Sequence, residues 1–91
     1  MTVRIPAALR SVTHGEAVVS EAAPSMQVLL DRLEERYPGF RDRLCQPDGD
    51  LKRFINIFVN GQEIRRLQGL ETPLHDADEV VIIPAMAGGS L

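Results

Sequence analysis

The chain has 91 residues, 10 basic against 13 acidic, and a formal net charge of -3. That length supports one domain, above the size at which disulfides or metals become necessary for a core, and the acidic balance provides no electrostatic footprint for nucleic acid or an anionic membrane. The single cysteine, Cys45, excludes an internal disulfide and a Cys/His zinc cluster; with no apolar run near the roughly 20 residues that span a bilayer and no signal-peptide pattern at the start, the expected location is the cytoplasm.

Val3 and Ile5 alternate with Thr2 and Arg4, and Glu16 to Ser20 resumes a strand-like run after the polar turn Thr13-His14-Gly15, which predicts an opening hairpin. Met26, Leu29, Leu30, Leu33 and Tyr37 fall on one helical face with charged residues opposite, so a helix is expected from residue 26. Ser25 is placed to cap its start, and Pro38-Gly39 ends it. Phe40 to Gln46 suits one further helical turn before Pro47-Asp48-Gly49-Asp50 breaks the chain.

The strongest strand signal is Phe54-Ile55-Asn56-Ile57-Phe58-Val59, followed by Asn60-Gly61, a pair suited to the positive φ that both positions of a tight hairpin turn need. Gln62 to Arg65 returns as a partner, Thr72 to Asp78 is a polar connection, and Val80 to Ile83 forms the last strand. The order β-β-α-β-β-β suits an α+β domain, one sheet with a helix over its apolar face. Because side chains alternate across a strand, the unbroken apolar run Val80 to Ile83 predicts a central strand covered on both faces. The alternative is that its second face is an exposed apolar docking patch.

After this strand come Pro84-Ala85-Met86-Ala87 and then Gly88-Gly89-Ser90-Leu91. Two consecutive glycines combine backbone freedom with the absence of a Cβ, so such an end can thread a narrow enzyme channel. The division expected is a folded domain over 1–84 and a flexible tail over 85–91.

This order of elements, the run Phe54 to Glu63 and the ending Asp76-Ala77-Asp78-Glu79-Val80-Val81-Ile82-Ile83-Pro84-Ala85-Met86-Ala87-Gly88-Gly89 together resemble the ubiquitin-like sulfur carrier proteins. That family includes the small subunit of molybdopterin synthase, the thiamin sulfur carrier, and carriers serving cysteine, methionine and thioquinolobactin-type biosynthesis. The resemblance spans nearly the whole chain, and the segment Arg53 to Leu74 draws it toward the cysteine-biosynthesis type. It implies a β-grasp fold, a mixed sheet covered by one main helix.

The resemblance also implies a function without catalysis by this chain. Most members end at the second glycine, whereas Ser90 and Leu91 follow it here. The members with such an extension are trimmed by a JAMM-type zinc metalloprotease, which implies cleavage between Gly89 and Ser90. An adenylating enzyme resembling the ubiquitin activators would then join Gly89 to AMP from ATP, and sulfur would displace AMP to leave a thiocarboxylate. A sulfur-accepting synthase, of a PLP-dependent kind in some relatives, would take the sulfur. Gly89 is thus the covalent attachment point, Gly88 and Ala87 serve recognition of the tail, ATP and zinc belong to partner enzymes, and the free protein is expected to be monomeric with no cofactor or metal of its own.

Other residues are expected to be structural. Cys45 has no adjacent base to activate it, His14 and His75 sit in turns without ligand-spaced partners, and Asp76, Asp78 and Glu79 form a solvated acidic turn that a basic partner surface would suit. Arg65, Arg66, Arg53 and Lys52, the only lysine, are read as a solvated face with the option of meeting a partner's acids. Three alternatives stay open: a ubiquitin-like modifier passing Gly89 to a lysine amine, a non-covalent interaction module with an inert tail, and the molybdopterin synthase small subunit.

Overall fold

The structure is a computed structural model and describes residues 1–84. Its core is a five-stranded mixed sheet formed by β1 (Thr2–Arg4), β2 (Val18–Ser20), β3 (Ile55–Val59), β4 (Gln62–Glu63) and β5 (Glu79–Pro84), in the spatial order β2-β1-β5-β3-β4. β1 and β5 run parallel at the centre, and the remaining neighbours are antiparallel. The last strand in sequence therefore lies in the middle of the sheet, hydrogen-bonded on both sides, and carries the chain out past Pro84.

Helix α1 (Met26–Arg36) covers one face. Its start is fixed as the sequence predicts: the Ser25 hydroxyl accepts from the Val28 N–H at 3.3 Å, a cap that contributes about 1 kcal/mol. Met26, Leu29, Leu30 and Leu33 are fully buried against the inward residues Val3, Val19, Ile55, Ile57, Val59, Val80 and Ile82, each such side chain gaining roughly 1.5–3 kcal/mol from leaving water. Gly39, at φ +96°, turns the chain into the short helix α2 (Phe40–Leu44), and Phe40 and Leu44 extend the core beneath it.

Two sequence expectations need correction. The opening pair is antiparallel as expected, but it is not a tight hairpin: Pro6 cannot donate to the ladder, and a 3-10 turn at Ala7–Leu9 inserts Leu9 into the core before the chain returns at Val18. β4 ends at Glu63, since Ile64–Arg66 coils into another 3-10 turn that buries Ile64. An unforeseen 3-10 turn, Gly69–Glu71, precedes the polar connection to β5, and the connection itself buries Thr72 and Leu74. The buried Thr72 is satisfied, its hydroxyl donating to the Gly69 carbonyl at 2.7 Å and accepting from the Gln68 N–H at 3.1 Å.

The Asn60-Gly61 turn is as predicted, with φ of 52° and 86° at the two residues. It does more than reverse the chain. Asn60 Nδ2 donates to the Asp78 carboxylate, Asn60 Oδ1 accepts from the Glu79 N–H, and Asp78 also accepts from the His75 N–H, all at 2.8–2.9 Å. These bonds tie the β3–β4 turn to the entry of β5 and fix the register of the central strand.

Candidate functional site

The tail residues on which the sequence reading places chemistry, Ala87, Gly88, Gly89 and Ser90, lie outside the described residues. What the structure does describe is the platform from which they leave: β5, its open face, and the end of the sheet at Pro84.

The expectation that β5 is covered on both faces is corrected. Val80 and Ile82 are 1% and 3% exposed beneath the helix, while Ile83 on the other face is 46% exposed and Val81 is half-buried. No element covers that second side among the described residues. The register sets a row across it, Val18, Arg4, Val81, Phe58 and Glu63, with Ile83 beside Asn56 one step further along. An apolar strip thus runs down the middle of an open face, bordered by the ion pair Arg4–Glu79 at 2.6 Å. A hollow of about 600 Å³ indents the same side between Phe58, Gln62, Arg66 and Leu67; it lies toward the β4 edge, away from Pro84.

At the other limit of β5, Pro84 stands opposite Ile55 in register. Here a groove of about 260 Å³ is lined by Ala8, Leu9, Ile55 and Pro84, with Phe54, Arg43 and Lys52 around it. Phe54 is 47% exposed, and the Lys52 ammonium lies 6.0 Å from its ring centroid. Among the described residues, neither Arg43 nor Lys52 has a carboxylate within 4.0 Å, whereas Arg4, Arg36, Arg41 and Arg65 are each ion-paired.

The residues set aside from sequence behave structurally. Cys45 is buried, and burial raises its thiol pKa, so the nucleophilic thiolate is disfavoured. His14 and His75 are exposed, His14 resting 5.6 Å from the Tyr37 ring. The acidic run is not simply solvated: the His75 backbone N–H holds Asp78 below the usual aspartate range, against the opposing effect of burial and with a lesser contribution from the Asn60 amide, and Glu79 is held by Arg4. Arg65, read as part of a solvated face, pairs with Glu63 at 3.3 Å and donates to the Lys52 carbonyl at 2.8 Å. Arg43 was not singled out by the sequence; its position one helical turn beyond Gly39 gives no sign that α2 brings it to the root of the tail. The described residues hold no cluster of His, Cys, Asp and Glu able to bind a metal, and none of their helices is long and apolar enough to cross a membrane.

The model of the ThiS family matches residues 3–89, nearly the whole chain including both glycines. The chain belongs to the ThiS family. A curated relative, the sulfur carrier protein CysO of Mycobacterium tuberculosis, is 42% identical over 91 residues, covering 98% of each chain. Among solved structures, one from the Amycolatopsis orientalis BexX/CysO complex superposes with a TM-score of 0.90 at 40% identity, covering 97% of this chain and 98% of that one. The small archaeal modifier protein 1 of Methanosarcina acetivorans follows at TM-score 0.83 and 32% identity, covering 97% and 94%. This ThiS-family chain is therefore a CysO-like sulfur carrier protein with the ubiquitin-like β-grasp fold, as the resemblance implied. Sulfur carrier proteins, as its curated CysO relatives are named, are small protein carriers, not catalysts.

Proposed function

We propose that this protein carries sulfur as a thiocarboxylate on Gly89, exposed by removal of Ser90-Leu91, for biosynthesis of cysteine or another small sulfur metabolite. The observation that carries this reading is the match to the sulfur carrier family through residue 89, two residues short of the end of the sequence. The fold supplies a fitting platform, since the central strand β5 ends at Pro84. From there to Gly89 is a reach of at most roughly 17 Å when extended.

The chemistry is divided between this chain and its partners. Hydrolysis of the Gly89–Ser90 peptide bond, releasing Ser-Leu, would fall to a JAMM-type protease, whose zinc would supply the activated water. The freed carboxylate is a poor electrophile, so an adenylating enzyme couples it to AMP, with pyrophosphate leaving from ATP. A sulfide-level nucleophile then displaces AMP, exchanging the acyl C–O bond for C–S. The thiocarboxylate sulfur then attacks an electrophilic carbon of a substrate held by a partner synthase, and hydrolysis of the resulting acyl C–S bond by water releases the sulfur-bearing product and returns the Gly89 carboxylate. Throughout, Gly88 and Gly89 keep the reacting carbonyl free of a neighbouring Cβ, and the folded body presents it.

Intact-mass measurement on protein recovered from its native host tests this. The expected species has lost Ser-Leu and carries sulfur in place of one carboxylate oxygen; full-length unmodified protein during active sulfur assimilation would favour an interaction module with an inert tail. Gly89→Ala should fold normally and lose adenylation, and adenylation of that variant at the normal rate would sink the assignment. The archaeal modifier likeness supports a second reading, transfer of Gly89 to lysine amines, and isopeptide adducts in the same mass analysis would identify it.

A further inference from the structure

The groove at the root of the tail has the character of a binding surface, and it is separate from the open sheet face. Its floor is apolar, formed by Leu9, Ile55 and Pro84, and Pro84 faces the helix side of the sheet with its register partner Ile55. Its rim carries Arg43 and Lys52, with no carboxylate within 4.0 Å of either among the described residues. Phe54 stands beside them 47% exposed, an aromatic surface whose burial would be favourable.

Resting on the sulfur-carrier reading, we propose that this groove docks a surface loop of the adenylating enzyme that presents a carboxylate to Arg43 and Lys52 and an apolar side chain to Leu9 and Phe54. Three observations lead to that occupant. Any enzyme acting at Gly89 must bring the lip of its cleft within five residues of Pro84, which is roughly 17 Å of extended chain, so the lip meets this end of the sheet. The protein carries a net charge of -3, yet at the tail root Arg43 and Lys52 stand on the rim of one groove with no carboxylate within 4.0 Å of either among the described residues, so this end of an acidic protein offers a pair of uncompensated cations. At the far end of β5 the sign is opposite, with Asp76, Asp78 and Glu79 around its entry. An acidic loop is therefore attracted to one end of the strand and repelled from the other, which orients the tail toward the cleft.

The test uses the full chain and the adenylating enzyme of the same organism, with affinity measured calorimetrically at low and at physiological salt. Arg43→Glu/Lys52→Glu should weaken binding by at least about tenfold at low salt, with a smaller loss as salt rises. Arg43→Gln/Lys52→Gln should fall between that variant and wild type, and Arg66→Glu, a charge change on the other hollow, should stay within about twofold. Unchanged melting temperatures would show that these effects are not losses of fold. Equal weakening by Arg66→Glu would mean general steering and overturn the docking inference, as would groove variants that bind normally while wild type is adenylated; the carrier reading would survive both. If ATP alone, followed by NMR, perturbs Arg43 and Lys52 and the charge-reversed variant loses that response, the groove is a nucleotide site and docking is overturned. Failure of the enzyme to bind or activate wild type would overturn the carrier reading and the docking inference together.

Discussion

Consecutive residues of β5 occupy opposite environments. Val80 and Ile82 lie under α1, nearly inaccessible, while Val81 and Ile83 are just as apolar and face outward. The inward pair is accounted for by the core. The outward pair gains little from folding, so the same side-chain chemistry serves stability on one face and is available for contact on the other. Because the strand period is two, a slip of one residue would exchange the faces. The bonds among Asn60, Asp78 and Glu79 at the entry of β5 are what hold them apart.

The most direct way to break this contrast is Ile82→Ala. Ile82 is 3% exposed and sits opposite Ile57 in register, so truncation leaves a cavity and is expected to cost about 2–5 kcal/mol in urea unfolding. A loss below about 1 kcal/mol would show that the helix-facing side is not tightly packed. Next in size is Asp78→Ala, which removes the acceptor for the His75 and Asn60 donors. It should cost about 1–2 kcal/mol, and hydrogen exchange should quicken at residues 79 and 80 more than in α1. Uniform acceleration would mean that the bonds support global stability instead of register.

The same carboxylate gives a pH signature. Its folded pKa is lowered, chiefly by the His75 N–H, so its contribution is complete above the ordinary aspartate range and disappears as pH falls through the lowered value. Asp78→Asn should therefore flatten the acid limb of the stability profile in that window. Part of the slope should persist, because Glu21 and Glu34 are also lowered, by the backbone N–H of Ala22 and by those of Gly39 and Arg41. An acid limb identical to that of wild type would remove Asp78 from the account.

The inward face was legible in the sequence because periodicity is a local property. The Met26–Tyr37 spacing, the Ser25 cap and the Asn60-Gly61 turn each state their own geometry. The open face was not, since an unbroken apolar strand reads the same whether one side or both are covered, and only the arrangement of the other elements decides. The 3-10 turns at Ala7–Leu9, Ile64–Arg66 and Gly69–Glu71 were missed for a related reason: they set Leu9 and Ile64 into the core and Leu70 partly against it by tertiary demand, and three residues are too few to show a period. The Gly-Gly ending was conspicuous, whereas the groove beside its root joins residues separated by up to 76 positions, from Ala8 to Pro84, and has no linear motif.

The smallest effect is the one that sharpens the contrast most. Ile83→Thr keeps a β-branched side chain suited to a strand and removes apolar surface at a position 46% exposed, opposite Asn56. Its unfolding midpoint should stay within about 0.5 kcal/mol of wild type, with the same denaturant slope. A larger loss would mean that the outward face is packed within the folded chain, and the distinction between the two sides of β5 would collapse. With the midpoint unchanged, the apolar character of Ile83 has no stabilising role inside the protein, and the strip it forms with Val81 and Phe58 is left as a surface for contacts outside it.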